Sequence, residues 1–178
     1  MFTPPDVDAP PDFLHFNLRG VDGEHHSLSA LAGSTATVVV FIGNGCPTVR
    51  AYEDRLMLLQ ETRRADGVRV VAINANNPYL SPPDTFAEMV SRAANRQFNF
   101  PYLKDEDGEV ATRYRAICTP HAFVLDRELK IVYSGRIDDS RVGTTISSTD
   151  LLNAVADLVA GRAVAVPRTD PFGCSIVR

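Results

Sequence analysis

One cysteine stands where a strand is expected to give way to a helix. Upstream of Cys46, residues 35–42 are β-branched and apolar, which is typical of a buried strand. Downstream, residues 48–64 place apolar side chains at intervals of three and four, which predicts an amphipathic helix. Cys46 is therefore expected at a helix N-terminus, where free backbone N–H groups and the helix dipole favour a thiolate and lower the pKa of the thiol.

The residues around Cys46 favour a reactive thiol over a buried structural cysteine. Gly43 and Gly45 permit a tight turn, and Pro47 suits the first turn of a helix because its missing N–H would be unpaired there. An ordinary core cysteine needs none of these neighbours, although burial of a lone cysteine would raise its pKa instead. A phosphate-binding loop is disfavoured because no Lys-Ser/Thr pair follows the glycines.

Length and composition predict a single globular domain over residues 1–178. The chain is 44% apolar and 22% charged, and it is long enough to bury a core without disulfides or metals. Residues 1–12, with four prolines and three aspartates, are expected to form a surface or mobile arm, and residues 162–178 an irregular tail. The net charge of −4 argues against a nucleic-acid partner.

Cysteine usage and the N-terminal residues indicate thiol chemistry in a reducing compartment. No secretory signal is recognisable, and no apolar stretch reaches the roughly 18 residues needed to cross a bilayer. We therefore expect a cytoplasmic location without a membrane partner, where Cys46, Cys118 and Cys174 suit redox chemistry better than structural disulfides. No cofactor or metal is predicted, because the adjacent His25 and His26 would face opposite sides of a strand and no Cys-x-x-Cys pair exists.

The remaining pattern predicts an α/β fold. A turn-rich loop at residues 19–23 separates two short runs and indicates an N-terminal β-hairpin. Beyond the first helix, the pattern predicts a buried strand, a capped helix, an antiparallel hairpin and a capped last helix, at residues 68–74, 81–94, 122–133 and 147–160. This order predicts a mixed central sheet with helices on both faces.

Several segments resemble the thioredoxin-like redoxins of the alkyl hydroperoxide reductase/thiol-specific antioxidant type. The matching segments are Gly43-Asn-Gly-Cys-Pro-Thr-Val49, Tyr52-Glu-Asp-Arg-Leu56, Val71-Ala-Ile-Asn-Ala-Asn76, Phe100-Pro-Tyr-Leu-Lys-Asp105, Thr119-Pro120, Gly135-Arg-Ile-Asp-Asp139 and Gly173-Cys-Ser-Ile176. The first is similar to the stretch Cys-Asn-His-Cys-Pro-Tyr-Val of a bacterial peroxiredoxin-like subgroup. The resemblance covers most of the chain and implies a thioredoxin-like fold with antioxidant, thiol-dependent chemistry.

The chain departs from the family pattern at the first cysteine of Cys-x-x-Cys. By resemblance, Gly43 takes that place and Cys46 the second, so ordinary dithiol exchange is excluded. Peroxiredoxins carry their attacking cysteine at the second place, after a threonine that this chain lacks. The resemblance thus implies a thiol-dependent oxidoreductase in which Cys46 attacks a peroxide or a disulfide and an external thiol is the reductant. The alternative is a redox-inactive binding or regulatory module.

The resemblance also implies which residues surround the thiol. Thr119-Pro120 matches the pair that carries a cis peptide bond beside the active-site cysteine and leaves backbone groups open to a substrate chain. Cys118 is the expected resolving cysteine, whereas Cys174 would resolve only if the tail folds back and is otherwise expected to be inert. His121 is a candidate base or donor near the thiolate. The expected substrate-binding residues are Gly43, Asn44, Gly45, Pro47, Thr119, Pro120 and His121.

Overall fold

The computed structural model describes residues 13–140 and 145–178, which form nine strands and five α-helices. The strands are β1 (Asn17–Gly20), β2 (His25–Ser27), β3 (Ala36–Phe41), β4 (Val68–Asn74), β5 (Tyr102–Lys104), β6 (Cys118–Thr119), β7 (His121–Asp126), β8 (Ile131–Gly135) and β9 (Cys174–Ser175). The helices are α1 (Leu28–Leu31), α2 (Pro47–Arg63), α3 (Phe86–Arg96), α4 (Glu109–Arg113) and α5 (Asp150–Val159).

Seven strands form a mixed sheet in the order β2-β1-β5-β4-β3-β7-β8, and β6 pairs with β9 in a separate small sheet. The parallel pair β3 and β4 lies at the centre because both strands are rich in β-branched residues and buried on both faces. The β1–β2 and β7–β8 pairs are antiparallel, as predicted.

Alternate residues of β3 face two separate hydrophobic cores. Val38 and Val40 point into one core, which α2, α3 and α5 cover, and Val39 and Phe41 point into the other, which α1 and α4 cover. The prediction of a mixed α/β sheet with helices on both faces and an N-terminal hairpin is therefore confirmed. Among the described residues, no helix is long and apolar enough to span a bilayer.

The segment after β4 differs from its prediction as the start of a helix. Ser81 does not cap a helix; residues 82–84 form a 3-10 turn, and α3 begins after Thr85, whose hydroxyl accepts from the N–H of Glu88 at 3.4 Å. The hydroxyl of Ser81 instead donates to the carboxylate of Asp84 at 2.6 Å. The apparent capping pattern thus orients a buried acid.

The C-terminal tail is also more ordered than expected. Ser134 donates its N–H to the carbonyl of Pro167 at 3.0 Å, and β9 pairs with β6 across the molecule. Apart from the bridge at Arg168 and the two residues of β9, residues 162–178 have no regular secondary structure. The predicted N-terminal arm, residues 1–12, lies outside the described residues.

Candidate active site

Cys46 is the N-cap residue of α2, directly after the turn that leaves β3. Its backbone is extended (φ −80°, ψ 115°), Pro47 is the first helical residue, and the N–H of Arg50 donates to the Cys46 carbonyl at 3.1 Å. The proline fits because the first helical N–H has no partner within the helix. The predicted position of Cys46, between a buried strand and an amphipathic helix, is confirmed.

The sulfur of Cys46 is almost fully buried, with 4% of the residue exposed. In its thiol form it donates to the backbone carbonyl of Thr119 at 3.0 Å. Burial raises the pKa of this thiol, but the Cys174 thiol and the Thr119 hydroxyl oppose burial, and so do the backbone N–H groups of Val49 and Cys174. Together these donors hold the pKa of Cys46 below its ordinary value.

The hydroxyl of Thr119 is one of the groups that lower the pKa of Cys46. The residue is 1% exposed, and its Oγ1 has no conventional hydrogen-bond partner in the described part of the chain. A buried hydroxyl without a partner is costly, so interaction with the Cys46 sulfur is its remaining means of compensation. The peptide bond between Thr119 and Pro120 is cis, as the resemblance implied.

The C-terminal tail brings a second sulfur to Cys46. In the antiparallel β6–β9 pair, Thr119 lies directly opposite Cys174, and Cys118 lies opposite Ser175. Directly opposite residues share a face of a sheet, so Thr119 and Cys174 both face Cys46. Burial, and then the interaction with Cys46, raises the pKa of Cys174 to about 11. Cys46 and Cys174 are both free thiols.

Cys118, the expected resolving cysteine, lies on the opposite face of β6. Its sulfur is 3.7 Å from the carbonyl oxygen of Pro120. Burial, followed by the charges of the two other sulfurs, raises the pKa of Cys118 to about 12. Cys174 thus interacts with the Cys46 sulfur as a hydrogen-bonding group, whereas Cys118 interacts with it only through charge. The sequence suggested Cys118 as the partner of Cys46, because Cys118 directly precedes the Thr119-Pro120 pair.

His121 is held inside the sheet as a neutral side chain. Its Nε2 hydrogen-bonds with the hydroxyl of Ser134 at 3.1 Å, its Nδ1 accepts from the N–H of Ile117 at 3.4 Å, and its ring packs against Phe123. Burial lowers the pKa of His121 to about 3. This arrangement does not support the predicted role as a base for the thiol.

A buried polar network holds the turn that precedes Cys46. The N–H of Asn44 donates to Asp84 Oδ1 at 2.6 Å, its side-chain amide donates to the carbonyl of Pro83 at 2.8 Å, and its Oδ1 accepts from the hydroxyl of Tyr102 at 2.9 Å. Asn44 is thus a structural member of the turn. Sequence reasoning missed Asp84, although a polar residue beside two prolines was a visible signal.

The two glycines of the turn differ in what surrounds them. A Cβ at Gly43 would lie 2.5 Å from the Nδ2 of Asn76, so any side chain there must displace that amide. A Cβ at Gly45 would meet Pro83 at an ordinary 3.7 Å. The amide of Asn76 therefore favours glycine at position 43, whereas contacts do not require glycine at position 45.

Comparison with known proteins agrees with this architecture. A solved structure of an uncharacterized conserved protein from Geobacillus kaustophilus is 37% identical, over 100% of this chain and 93% of that chain, with a TM-score of 0.90. A hypothetical protein from Sinorhizobium meliloti is 32% identical, over 99% and 94%, with a TM-score of 0.87. No curated protein matches the chain.

More distant structures extend the likeness to named redoxins. Peroxidoxin BcpB from Mycobacterium tuberculosis is 19% identical, over 90% of this chain and 96% of that chain, with a TM-score of 0.59, which shows the fold alone. A family model described as the AhpC/TSA family matches residues 8–134. The fold and this match support a redoxin-type thiol oxidoreductase in general, and the chain belongs to the AhpC/TSA family.

Proposed function

We propose that the protein is a thiol-dependent oxidoreductase that cycles between a Cys46/Cys174 dithiol and a Cys46–Cys174 disulfide. The observation that carries the proposal is the β6–β9 pairing, which places Cys174 directly opposite Thr119, the residue whose carbonyl accepts from the Cys46 thiol at 3.0 Å. The lowered pKa of Cys46 supports it. A thiolate is the reactive form of cysteine, and a neighbouring thiol can take the product of its oxidation to a disulfide.

In the first step the Cys46 thiolate attacks an oxidant. With a hydroperoxide, the sulfur lone pair forms a bond to one oxygen, the O–O bond breaks, and the leaving alkoxide or hydroxide takes up a proton. Sulfur loses two electrons and becomes a sulfenic acid, while the peroxide becomes an alcohol or water. With a disulfide, the thiolate displaces one sulfur as a thiolate and forms a mixed disulfide.

In the second step the Cys174 sulfur attacks oxidised Cys46. The bond from Cys46 to its hydroxyl breaks, the proton of Cys174 leaves with that hydroxyl as water, and a disulfide forms. The negative charge of Cys46 is one cause of the raised pKa of Cys174, and oxidation removes that charge. Oxidation of Cys46 therefore removes one cause of the raised pKa of Cys174, while burial, the largest cause, remains. Two external thiols then reduce the bond and leave as their own disulfide.

Sulfenic-acid trapping in matched variants tests the proposal. After one equivalent of hydrogen peroxide, Cys174→Ser is expected to accumulate a Cys46 sulfenic acid that a dimedone probe labels, because its resolving sulfur is gone. Cys118→Ser is the matched control and is expected to label as weakly as the wild type. Absence of label on Cys46 in Cys174→Ser would favour the redox-inactive binding module instead.

A further inference from the structure

We infer that Asp84 and Asn76 are positioning residues that hold the two cysteine segments of this redox pair in register; the inference rests on the proposed function. Asp84 is 1% exposed. Its two carboxylate oxygens accept four hydrogen bonds, from the N–H of Asn44 (2.6 Å), Asn74 Nδ2 (2.7 Å), Asn76 Nδ2 (2.9 Å) and Ser81 Oγ (2.6 Å).

One branch of this network fixes Cys46. Asn44 stands two positions before it, and Asp84 holds the backbone N–H of Asn44 directly. The N–H of Cys46 donates to the carbonyl of Gly43 at 3.2 Å, and Arg50 Nε donates to the carbonyl of Asn44 at 3.0 Å. The turn is thus bonded on both sides of residue 44, so a shift of Asp84 displaces the start of α2 and the sulfur with it.

The other branch fixes Cys174. While its amide nitrogen donates to Asp84, the Oδ1 of Asn76 accepts from the N–H of Val177 at 2.9 Å. The next residue, Asn77, donates its N–H to the carbonyl of Val177 at 2.8 Å. β9 has only two residues paired with β6, and this anchor at Val177 holds the tail beside that short pair, together with the hydrogen bonds of Arg178 to Thr112 and Ala116.

Asn76 also accounts for the absence of a side chain at position 43. Its amide nitrogen lies 2.5 Å from the position that a Cβ of residue 43 would take. The side chain that disfavours a cysteine there therefore also anchors the tail that carries Cys174. The buried amine of Lys104 completes the network by donating to the carbonyl of Asn76 at 2.6 Å, and it places a positive charge near the Asp84 carboxylate.

A measurement of disulfide formation at equilibrium distinguishes a role in positioning the two cysteines from a role in stabilising the fold alone. Each protein is equilibrated, fully folded, with buffers of reduced and oxidised glutathione, and the fraction of Cys46–Cys174 disulfide gives the effective concentration of one thiol toward the other. Asp84→Asn and Asn76→Ala are each expected to lower this value by roughly tenfold or more, because the two segments lose their common anchor.

The matched control is a second buried carboxylate outside the network. Glu53 is 1% exposed and ion-paired with Arg92 and Arg96. Glu53→Gln is expected to lose stability while keeping the effective concentration within about twofold of the wild type. A double variant, Asp84→Asn with Asn76→Asp, exchanges the two side chains and so restores a donor opposite an acceptor. It is expected to recover part of the lost effective concentration.

The outcomes distinguish this inference from the function on which it rests. Wild-type values in both Asp84→Asn and Asn76→Ala, or an equal loss in Glu53→Gln, would overturn the positioning role and leave the redox pair intact. A wild-type protein that forms no Cys46–Cys174 bond with peroxide or oxidised glutathione would overturn the proposed function itself. No recovery in the exchange variant would overturn the assignment of the Asp84–Asn76 hydrogen bond as the link.

Discussion

A buried sulfur at a helix N-terminus is stabilised as a thiolate only if donors replace the water that it has lost. Around Cys46 those donors come from three separate parts of the chain: the first turn of α2, Thr119 and the C-terminal tail. Burial raises the pKa of Cys46 and would offset the effect of the helix N-terminus. Because donors from all three segments meet at the sulfur, the pKa is lowered instead.

Replacing Thr119 by valine should raise the pKa of Cys46. The change keeps the shape of the side chain but removes a hydroxyl whose remaining interaction is with this sulfur. A hydrogen bond to a charged group contributes about 1.5–3 kcal/mol, so its loss is expected to raise the pKa of Cys46 measurably. Thiolate absorbance against pH, in a Cys118→Ser background, measures it.

The control for this titration is Thr62→Val, which removes a hydroxyl that bonds the carbonyl of Leu58 on the exposed side of α2. It should leave the pKa of Cys46 unchanged. If Thr119→Val also left that pKa unchanged, the Thr119 hydroxyl would not be a donor to the sulfur.

His121 should make the protein sensitive to acid. Its folded pKa of about 3 lies below the unfolded value, so the unfolded state binds more protons between the two values. The contribution to stability is fully present above about pH 6.5 and is lost as the pH falls toward 3, by at most about 1.4 kcal/mol per pH unit. His121→Gln should reduce this slope in urea unfolding, whereas exposed His25→Gln should not; equal slopes in all three proteins would contradict the account.

At the scale of elements, the turn from β3 to α2 offers a steric test. Gly43→Ala should destabilise the protein by about 1–3 kcal/mol, because a methyl group there must displace the Asn76 amide from Asp84. Gly45→Ala is the matched control, since its Cβ meets only ordinary contacts. Urea unfolding compares the two variants, and equal free energies of unfolding would show that position 43 is not constrained by Asn76.

The β6–β9 pair offers a second test at this scale. Gly173 has a positive φ of +152°, which side chains rarely adopt, and a Cβ there would collide with the Thr119 carbonyl. Gly173→Val should therefore separate β9 from β6 and lower the yield of Cys46–Cys174 disulfide after equal peroxide treatment. Ser175→Ala, which alters only an exposed side chain of the same strand, should keep the wild-type yield; the same yield in Gly173→Val would contradict the proposed seating of the tail.

Elements with a strong pattern were predictable from the sequence. The mostly apolar run Val68–Asn74 matches β4, because a strand buried on both faces has few polar positions. The apolar stripe after Pro47 matches α2, because burial of one helix face imposes a period on the residues. The strands β6 and β9 have two residues each, which is too short for a period, and their pairing joins distant parts of the chain. The position of Cys174 opposite Thr119 was therefore not predictable.

The buried hydrogen-bond network around Asp84 was also not predictable from the pattern of apolar residues. The N–H of Asn44 and the carboxylate of Asp84 meet across 40 positions in the sequence, and neither residue belongs to an amphipathic stripe. A polar residue in a loop has no preferred partner until the strands have brought the loops together. In the sequence, only Cys46 with its flanking glycines and proline indicated the site.

At the scale of the whole molecule, oxidation should stabilise the fold. A Cys46–Cys174 bond would link the first crossover of the sheet to the C-terminal tail and so close most of the chain into one loop. Chain entropy predicts a gain of about 4–5 kcal/mol in the free energy of unfolding. Urea unfolding of oxidised and reduced wild type measures it, with Cys174→Ser as the control that oxidation should not stabilise; a lower midpoint after oxidation would contradict the geometry.

The most direct test of the Cys46/Cys174 redox pair is a peptide map of wild-type protein treated with one equivalent of hydrogen peroxide and digested without reductant. The account predicts a single new species that joins the peptide of Cys46 to the peptide of Cys174, together with the loss of two titratable thiols and an unmodified Cys118. A bond between Cys46 and Cys118, or an unmodified Cys46, would contradict it.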